Sequence, residues 1–233
     1  DLLIDNDIIW CANNAGLVRF DIKSKKYQLF TGKNFNQPWQ RVYAIAKDKN
    51  NTLWLATSQG LVHFDPTKKK ADVFNVSHGL LSDFILTLQI DKKGMIWASS
   101  DKGISKFDPI THQCFNYEKN DGVKINAGYS YQNSKGTLFF GGTNGLNVFD
   151  PDEIKNNPTP PNVVITGFKL FNKPVPIGSA VLKQAISTTR EIILDHNQTV
   201  ITFEFAALNL TLSEKNKYAY KLEGFDTEWQ PIG

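Results

Sequence analysis

Cleaving a glycosidic bond takes two carboxylates facing each other across a pocket, and this sequence carries acids at regular intervals. Asp48 and Asp91 stand one such interval apart, and Asp21, Asp65, Asp108 and Asp150 recur on similar steps, each directly after a phenylalanine. Their neighbours argue for turns rather than catalysis. Asp65, Asp108 and Asp150 precede proline, and a short carboxylate in that position caps a turn. Asp48 and Asp91 end the β-rich runs "VYAIAKD" and "ILTLQID", where a turn begins. His63, His78, His112 and His196 lack metal-ligand spacing, and Cys11 and Cys114 make neither a metal site nor a disulfide framework. No Gly-x-Ser-x-Gly, His-Glu-x-x-His, phosphate-loop or dinucleotide fingerprint occurs. The reading is no catalytic residue, no metal and no cofactor in this segment.

Recognition chemistry is better supplied. Asn13, Asn14, Ser58, Gln59, Asp101, Lys102, Thr143 and Asn144 fall in short turns and offer amide, hydroxyl and mixed-charge groups suited to sugar hydroxyls. Trp39 lies outside the repeat register, beside Arg41 in "NFNQPWQR". An exposed indole there would stack on a sugar ring while Arg41 met an acidic group on it. The competing reading packs Trp39 against a neighbouring unit.

The elements that hold these residues repeat. "DIIWCANNAGLVRFD", "TLWLATSQGLVHFDP", "MIWASSDKGISKFDP" and "TLFFGGTNGLNVFDP" place Trp10, Trp54, Trp97 and Phe139 in register, at steps of 44, 43 and 42 residues. A steady period of about 40–45 residues marks stacked or radially arranged units. The second unit reads as four short strands: "VYAIAKD", "TLWLATS", "LVHFD" and "ADVFNV". Gly60 and its equivalents Gly16, Gly103 and Gly145 suit a turn needing positive φ between strands two and three. The recurring tryptophans are expected to pack between adjacent units. Such four-stranded meanders are β-propeller blades, and in a blade the loop into strand one and the turn between strands two and three emerge at the same end.

The units resemble two-component regulator propeller repeats: "DKNNTLWLATSQGLVHFD" and "DKKGMIWASSDKGISKFD" keep most of the pattern Asp-x-x-Gly-x-Leu-Trp-x-x-Thr-x-x-Gly-Leu-x-x-Phe-Asp. "TREIILDHNQTVITFEFAALNLTLSEKNKYAYKLEGFDTEWQPIG" is similar to the start of the triple-tyrosine (Y-Y-Y) sandwich that follows these propellers. Ile201, Phe203 and Phe205 alternate there with Thr202 and Glu204, the period of a half-buried sheet. The expected fold is therefore all-β: trailing blades of a seven-bladed propeller, then part of an immunoglobulin-like sandwich. The expected organisation is four repeats over 1–155 with the first incomplete, a proline-rich connector over 156–161, and a truncated sandwich over 162–233. Three whole blades and a cut one are too few to close a ring by themselves.

The resemblance implies the periplasmic ectodomain of a Bacteroidetes hybrid two-component sensor that detects oligosaccharides released from glycans. In that reading the segment is not an enzyme, although the full-length protein is a histidine kinase. It dimerises through the sandwich, is tethered to the membrane without touching it, and makes no contact with nucleic acid. A stiff connector built on Pro158, Pro160 and Pro161 would pass ligand-induced shifts to the sandwich. A non-catalytic scaffold for protein partners is the alternative, and a carbohydrate-active propeller enzyme a more distant one. Bulk properties agree with a globular chain: 233 residues, 41% hydrophobic, 12% aromatic, and a net charge of +3 that is too small to argue for nucleic acid or an anionic membrane. No apolar run is long enough to span a bilayer, and no stretch reads as a signal peptide.

Overall fold

A computed structural model describes residues 1–124, 126–154, 161–208, 216 and 218–232. The chain divides into two compact units, residues 1–155 and 156–233. Pro158 and Pro160 of the expected connector lie outside the described residues.

The first unit is built of four antiparallel sheets in which strands follow one another as neighbours. Sheet one runs β1 (Leu2–Asp5), β2 (Ile8–Asn13), β3 (Gly16–Asp21) and β4 (Tyr27–Phe30). Sheet two runs β5 (Val42–Lys47), β6 (Leu53–Thr57), β7 (Gly60–Asp65) and β8 (Lys70–Phe74). Sheet three runs β9 (Ile85–Ile90), β10 (Ile96–Ser100), β11 (Gly103–Phe107) and β12 (Cys114–Glu118). Sheet four holds β13 (Ala127–Gln132), β14 (Leu138–Gly142) and β15 (Gly145–Phe149) among the described residues. The all-β reading holds. The inner strand of the first repeat has four residues against six in β5, and the last repeat carries three strands among the described residues.

Turn chemistry follows the repeat. Gly16, Gly60, Gly103 and Gly145 all have positive φ, and at Gly60 an added Cβ would sit 2.2 Å from the Phe74 carbonyl oxygen. Only glycine fits there. Asp65 Oδ1 accepts the backbone N–H groups of Thr67 and Lys68, and Asp108 Oδ1 those of Ile110 and Thr111. The repeated acids are turn caps.

Adjacent sheets meet face to face, and their inner strands β1, β5, β9 and β13 run as neighbours. Each repeated tryptophan anchors an aromatic triad. Trp10 packs on Phe30 of its own outer strand and on Phe64 of the next sheet, with centroids 6.1 Å away in each case. Trp54 meets Phe74 and Phe107 at 5.9 Å, and Trp97 meets Tyr117 at 5.8 Å and Phe149 at 4.9 Å. Phe64, Phe107 and Phe149, from the last three Phe-Asp pairs, are thus the residues that reach back to the preceding tryptophan. Burying such a ring contributes several kcal/mol, so the sheets hold one another in place.

The second unit contains a three-stranded sheet in the order β17 (Lys173–Pro174), β16 (Val163–Leu170), β18 (Ile201–Ala207), and a hairpin of β19 (Tyr218–Tyr220) with β20 (Gln230–Ile232). Phe168 meets the Phe203 ring at a tilt, 5.2 Å between centroids, across the first sheet, and Phe205 meets the Tyr218 ring at 5.4 Å. The Ala207 N–H donates to the Tyr218 hydroxyl at 3.2 Å.

Candidate functional site at the inner strands

Inner strands β5, β9 and β13 each end the strand order of their sheet, so each is paired along one edge only. Backbone N–H and C=O groups of the other edge face the space where the sheets converge. They are strong hydrogen-bonding groups seeking partners. A cavity of about 410 Å³ opens there, lined among others by Tyr43, Thr87, Gln89, Tyr129 and Ser130.

A bulge recurs where each of these inner strands enters its sheet. Register shifts lie between Val42 and Ala44, at Ile85–Thr87, and between Ala127 and Tyr129. Bulges re-aim side chains. Tyr43 is the extra residue in β5, and it lines the cavity, meeting Phe84 edge-on at 5.3 Å. The Arg41 guanidinium carbon sits 5.9 Å from the centroid of the Tyr43 ring, a cation–π distance. Arg41 is exposed and has no carboxylate within 4 Å among the described residues.

Deeper in, the polar side chains satisfy one another. The Thr87 and Ser130 hydroxyls are 2.6 Å apart, Gln89 Nε2 donates to Ser130 Oγ at 3.0 Å, and Ser130 Oγ reaches the Leu88 carbonyl at 3.2 Å. One free backbone donor already holds an acid: the Ile45 N–H donates to the Asp1 carboxylate at 2.9 Å. An open edge of this kind can take a carboxylate or a ring hydroxyl without any dedicated side chain.

The sequence-derived residues divide in their fates. Trp39 is the correction: its ring is fully buried, stacked on Phe35 at 6.1 Å in the core between sheets one and two, and offers no surface to a sugar. The cause is the tight lead-in loop. Gly32 N–H donates to the Trp39 carbonyl at 2.8 Å, and a Cβ on Gly32 would lie 2.3 Å from that oxygen, so the loop folds back and tucks the indole under. Arg41 remains at the surface beside the cavity. Asn13, Asn14, Ser58, Gln59, Asp101, Lys102, Thr143 and Asn144 stand at the β2–β3, β6–β7, β10–β11 and β14–β15 turns. Several are already engaged locally: Asn13 Oδ1 accepts the Ala15 N–H at 2.7 Å, and Ser58 Oγ donates to Gln59 Oε1 at 2.6 Å. Asp101, Lys102 and Asn144 are exposed.

Asp48 and Asp91 sit at the far ends of β5 and β9 as turn caps. Asp91 Oδ1 accepts from Lys93 and Met95 N–H, and Oδ2 accepts the buried Trp97 indole N–H at 2.9 Å. No carboxylate pair faces the cavity among the described residues that line it. Sequence reasoning missed Tyr43 and the backbone edge. The bulge that turns Tyr43 inward leaves no mark in an alternating pattern.

Residues 36–59 match the two component regulator propeller family. A histidine kinase from Formosa agariphila is 35% identical over 118 residues, which is 48% of this chain and 9% of that protein. The extracellular domain of a hybrid two-component system from B. thetaiotaomicron superposes with a TM-score of 0.74 at 25% identity, over 99% of this chain and 32% of that one. A second such domain from the same organism, 23% identical over 100% of this chain and 31% of its own, shares the fold with a TM-score of 0.50. Residues 36–59 therefore match a two-component regulator propeller repeat, and the chain is built like about a third of a hybrid two-component ectodomain. It spans less than a tenth of the kinase relative.

Proposed function

We propose that this chain is a ligand-sensing segment of a hybrid two-component sensor, that its ligand is a glycan-derived oligosaccharide, and that it works on the periplasmic side of the inner membrane. The likeness to extracellular domains supports the location, and no helix among the described residues is long and apolar enough to cross a membrane. The observation that carries the ligand assignment is Arg41 poised over the Tyr43 ring, beside inner-strand edges that already hold one carboxylate. An aromatic face, an unpaired guanidinium and open backbone donors suit a sugar ring bearing an acid. The second unit is the start of a Y-Y-Y sandwich in this reading, and it passes the signal on as a dimer. A ligand shifts such a system only by favouring one of two states, so it must bridge parts that move against each other.

Calorimetry of the chain against neutral and uronate-containing oligosaccharides tests this. Expected is saturable binding near the micromolar range, with Arg41→Ala weakening the acidic ligand about tenfold, or ~1.4 kcal/mol. Silence across the panel would overturn the reading and leave the protein scaffold in its place.

A further inference from the structure

One seam between the stacked sheets differs from the other two in what it can titrate. Between sheets one and two the buried rings are Trp10, Phe30, Trp39 and Phe64, which carry no acid-base group. Between sheets three and four Trp97 meets Tyr117 and Phe149, and burial pushes the Tyr117 phenol above its ordinary value of 10, so it stays neutral in acid. The seam between sheets two and three holds three of the chain's four histidines. His63 on β7, His78 in the loop after β8 and His112 in the β11–β12 turn line one cavity of about 430 Å³. Both sheets have a further sheet packed on their other face, so this seam lies inside the stack.

The three imidazoles are part of the packing. His63 stacks on Trp54 with centroids 4.5 Å apart, and His112 stacks on Phe107 at 6.0 Å and meets Phe74 at 5.0 Å. His78 meets Phe74 edge-on at 5.6 Å. Among the described residues no group of three such side chains is placed to hold a metal ion. His63 occupies a repeated position: Arg19, His63 and Lys106 stand across the strand from Trp10, Trp54 and Trp97. Arginine and lysine are long enough to lay a stem along the ring and keep the charge in water, and Lys106 Nζ lies 5.2 Å over the Trp97 ring. An imidazole is too short for that, so a charge on His63 forms within the seam.

Counting protons fixes where the next one goes. Asp48 Oδ1 accepts the Asn50 and Thr52 N–H groups at 2.8 and 2.9 Å, and Oδ2 accepts the Thr52 hydroxyl at 2.6 Å. Thr52 has one hydroxyl proton and gives it to that carboxylate, so His63 Nε2, 2.6 Å from Thr52 Oγ1, is the donor in their contact. Nδ1 is then the base. It has no hydrogen-bond partner among the described residues and, unlike the Trp54 indole nitrogen, is not sealed from solvent. Burial holds the His63 imidazole below its ordinary value of 6.5, against the pull of Asp48 at the β5–β6 turn, Asp72 on β8 and Asp65 on its own strand; Lys70 on β8 adds to the effect of burial. From sheet three the β11–β12 turn brings His112, with Asp108 close to it, and the loop after β8 brings His78. Gln37 and Pro109 line the cavity without charge.

We propose that the seam between sheets two and three is an acid-responsive hinge, in which a proton taken up at His63 Nδ1 loosens the contact between these sheets while the seams on either side hold. Opening the seam hydrates the ring and restores its ordinary proton affinity. The contact is therefore at full strength above the ordinary value and weakens as pH falls from there towards the folded one. One pH unit below 6.5, opening is favoured by at most about tenfold. Tyr43 packs on this same seam and lines the inner-strand cavity, so that cavity sits on the contact that loosens.

Cysteine probes read each seam by itself. Ala98→Cys places a thiol in the seam between sheets two and three, and Ala71→Cys places one in the seam between sheets one and two; both alanines are buried. Labelling is located by peptide mass spectrometry, which reads the native thiols Cys11 and Cys114 apart. Rates divided by those of the urea-unfolded chain at the same pH give the protection of each site. Protection at position 98 is expected to fall about five- to tenfold between pH 7.5 and 5.5, and at position 71 less than about twofold. His63→Gln keeps a donor for Thr52 but removes the base, so the fall at position 98 should vanish. His63→Lys, which copies Lys106 at the matching position, should abolish it as well and serves if the glutamine variant fails to fold. Equal losses at both positions overturn the proposal, because the response is then global. Constant protection at position 98 overturns it too, and so does a loss there that survives substitution of His63.

Discussion

Asp48 and Asp91 occupy the same repeat position, yet they partner differently, and one neighbour explains it. Thr52 follows Asp48 by four residues, and its hydroxyl donates to Asp48 Oδ2 at 2.6 Å while also meeting His63 Nε2 at 2.6 Å. Met95 stands at the corresponding place after Asp91 and has no hydroxyl, so Oδ2 is free for the Trp97 indole. The Trp54 indole N–H, by contrast, is buried without a partner among the described residues. Removing the Asp91 carboxylate strips two turn N–H groups of their acceptor and orphans a buried donor. Asp91→Ala is therefore expected to cost about 2–4 kcal/mol, and at least ~1 kcal/mol more than Asp48→Ala, whose Thr52 can still bond His63. Urea titrations followed by tryptophan fluorescence measure both, and equal losses would deny the indole bond its role. At the residue scale the sequence left Trp39 two readings, sugar platform or packed ring, and the structure takes the packed one, because a residue outside the register is core when its loop folds back.

At the scale of the element, the turn after the third strand is a carboxylate trap. Backbone N–H groups hold the Asp21, Asp65 and Asp108 carboxyls below the usual carboxylate range, led by those of Ser24, Lys68 and Ile110 respectively. A depressed folded-state pKa contributes stability that is fully present above the unfolded value and is lost as pH falls through the folded one. His63 adds an earlier step. Burial pushes its imidazole below the ordinary value of 6.5, against the pull of Asp48, Asp72 and Asp65, so protonation favours the unfolded chain as pH drops below that value. Urea midpoints against pH are expected to decline first from about pH 6.5 and again below about pH 4. His63→Gln should remove the upper step, and Asp108→Asn should shrink the lower one. A flat profile between pH 7 and 5 in the parent would contradict the role given to His63. These turns were legible in the sequence because Asp-Pro and Gly have few structural alternatives. The inner-strand bulges were not: they insert one residue without breaking the apolar alternation, and it is they that build the cavity around Tyr43.

At the scale of the whole molecule, the two units differ in how much apolar surface they bury. The first stacks four sheets with a tryptophan-centred triad at every junction. In the second, Phe168 and Leu182 are the buried apolar side chains among the described residues, while Ile193, Phe225 and Trp229 are largely exposed. Repeat period and aromatic register announced the first unit because each repeat must present the same two faces to its neighbours. The second has no repeat, and its alternation at Ile201, Phe203 and Phe205 marks a strand without saying what covers it; Phe203 in fact stays 43% exposed. Local stability follows buried contacts, so amides of β16 and β18 are expected to exchange with solvent about 100-fold or more faster than those of β6 and β10. Hydrogen-exchange mass spectrometry resolves the four strands separately. If β16 and β18 were protected as well as β6, the second unit would have to be drawing stability from an interface that its own strands do not supply, and a dimer through that unit would then gain direct support. Slow exchange confined to the first unit would instead place the chain's folding free energy in the stacked sheets.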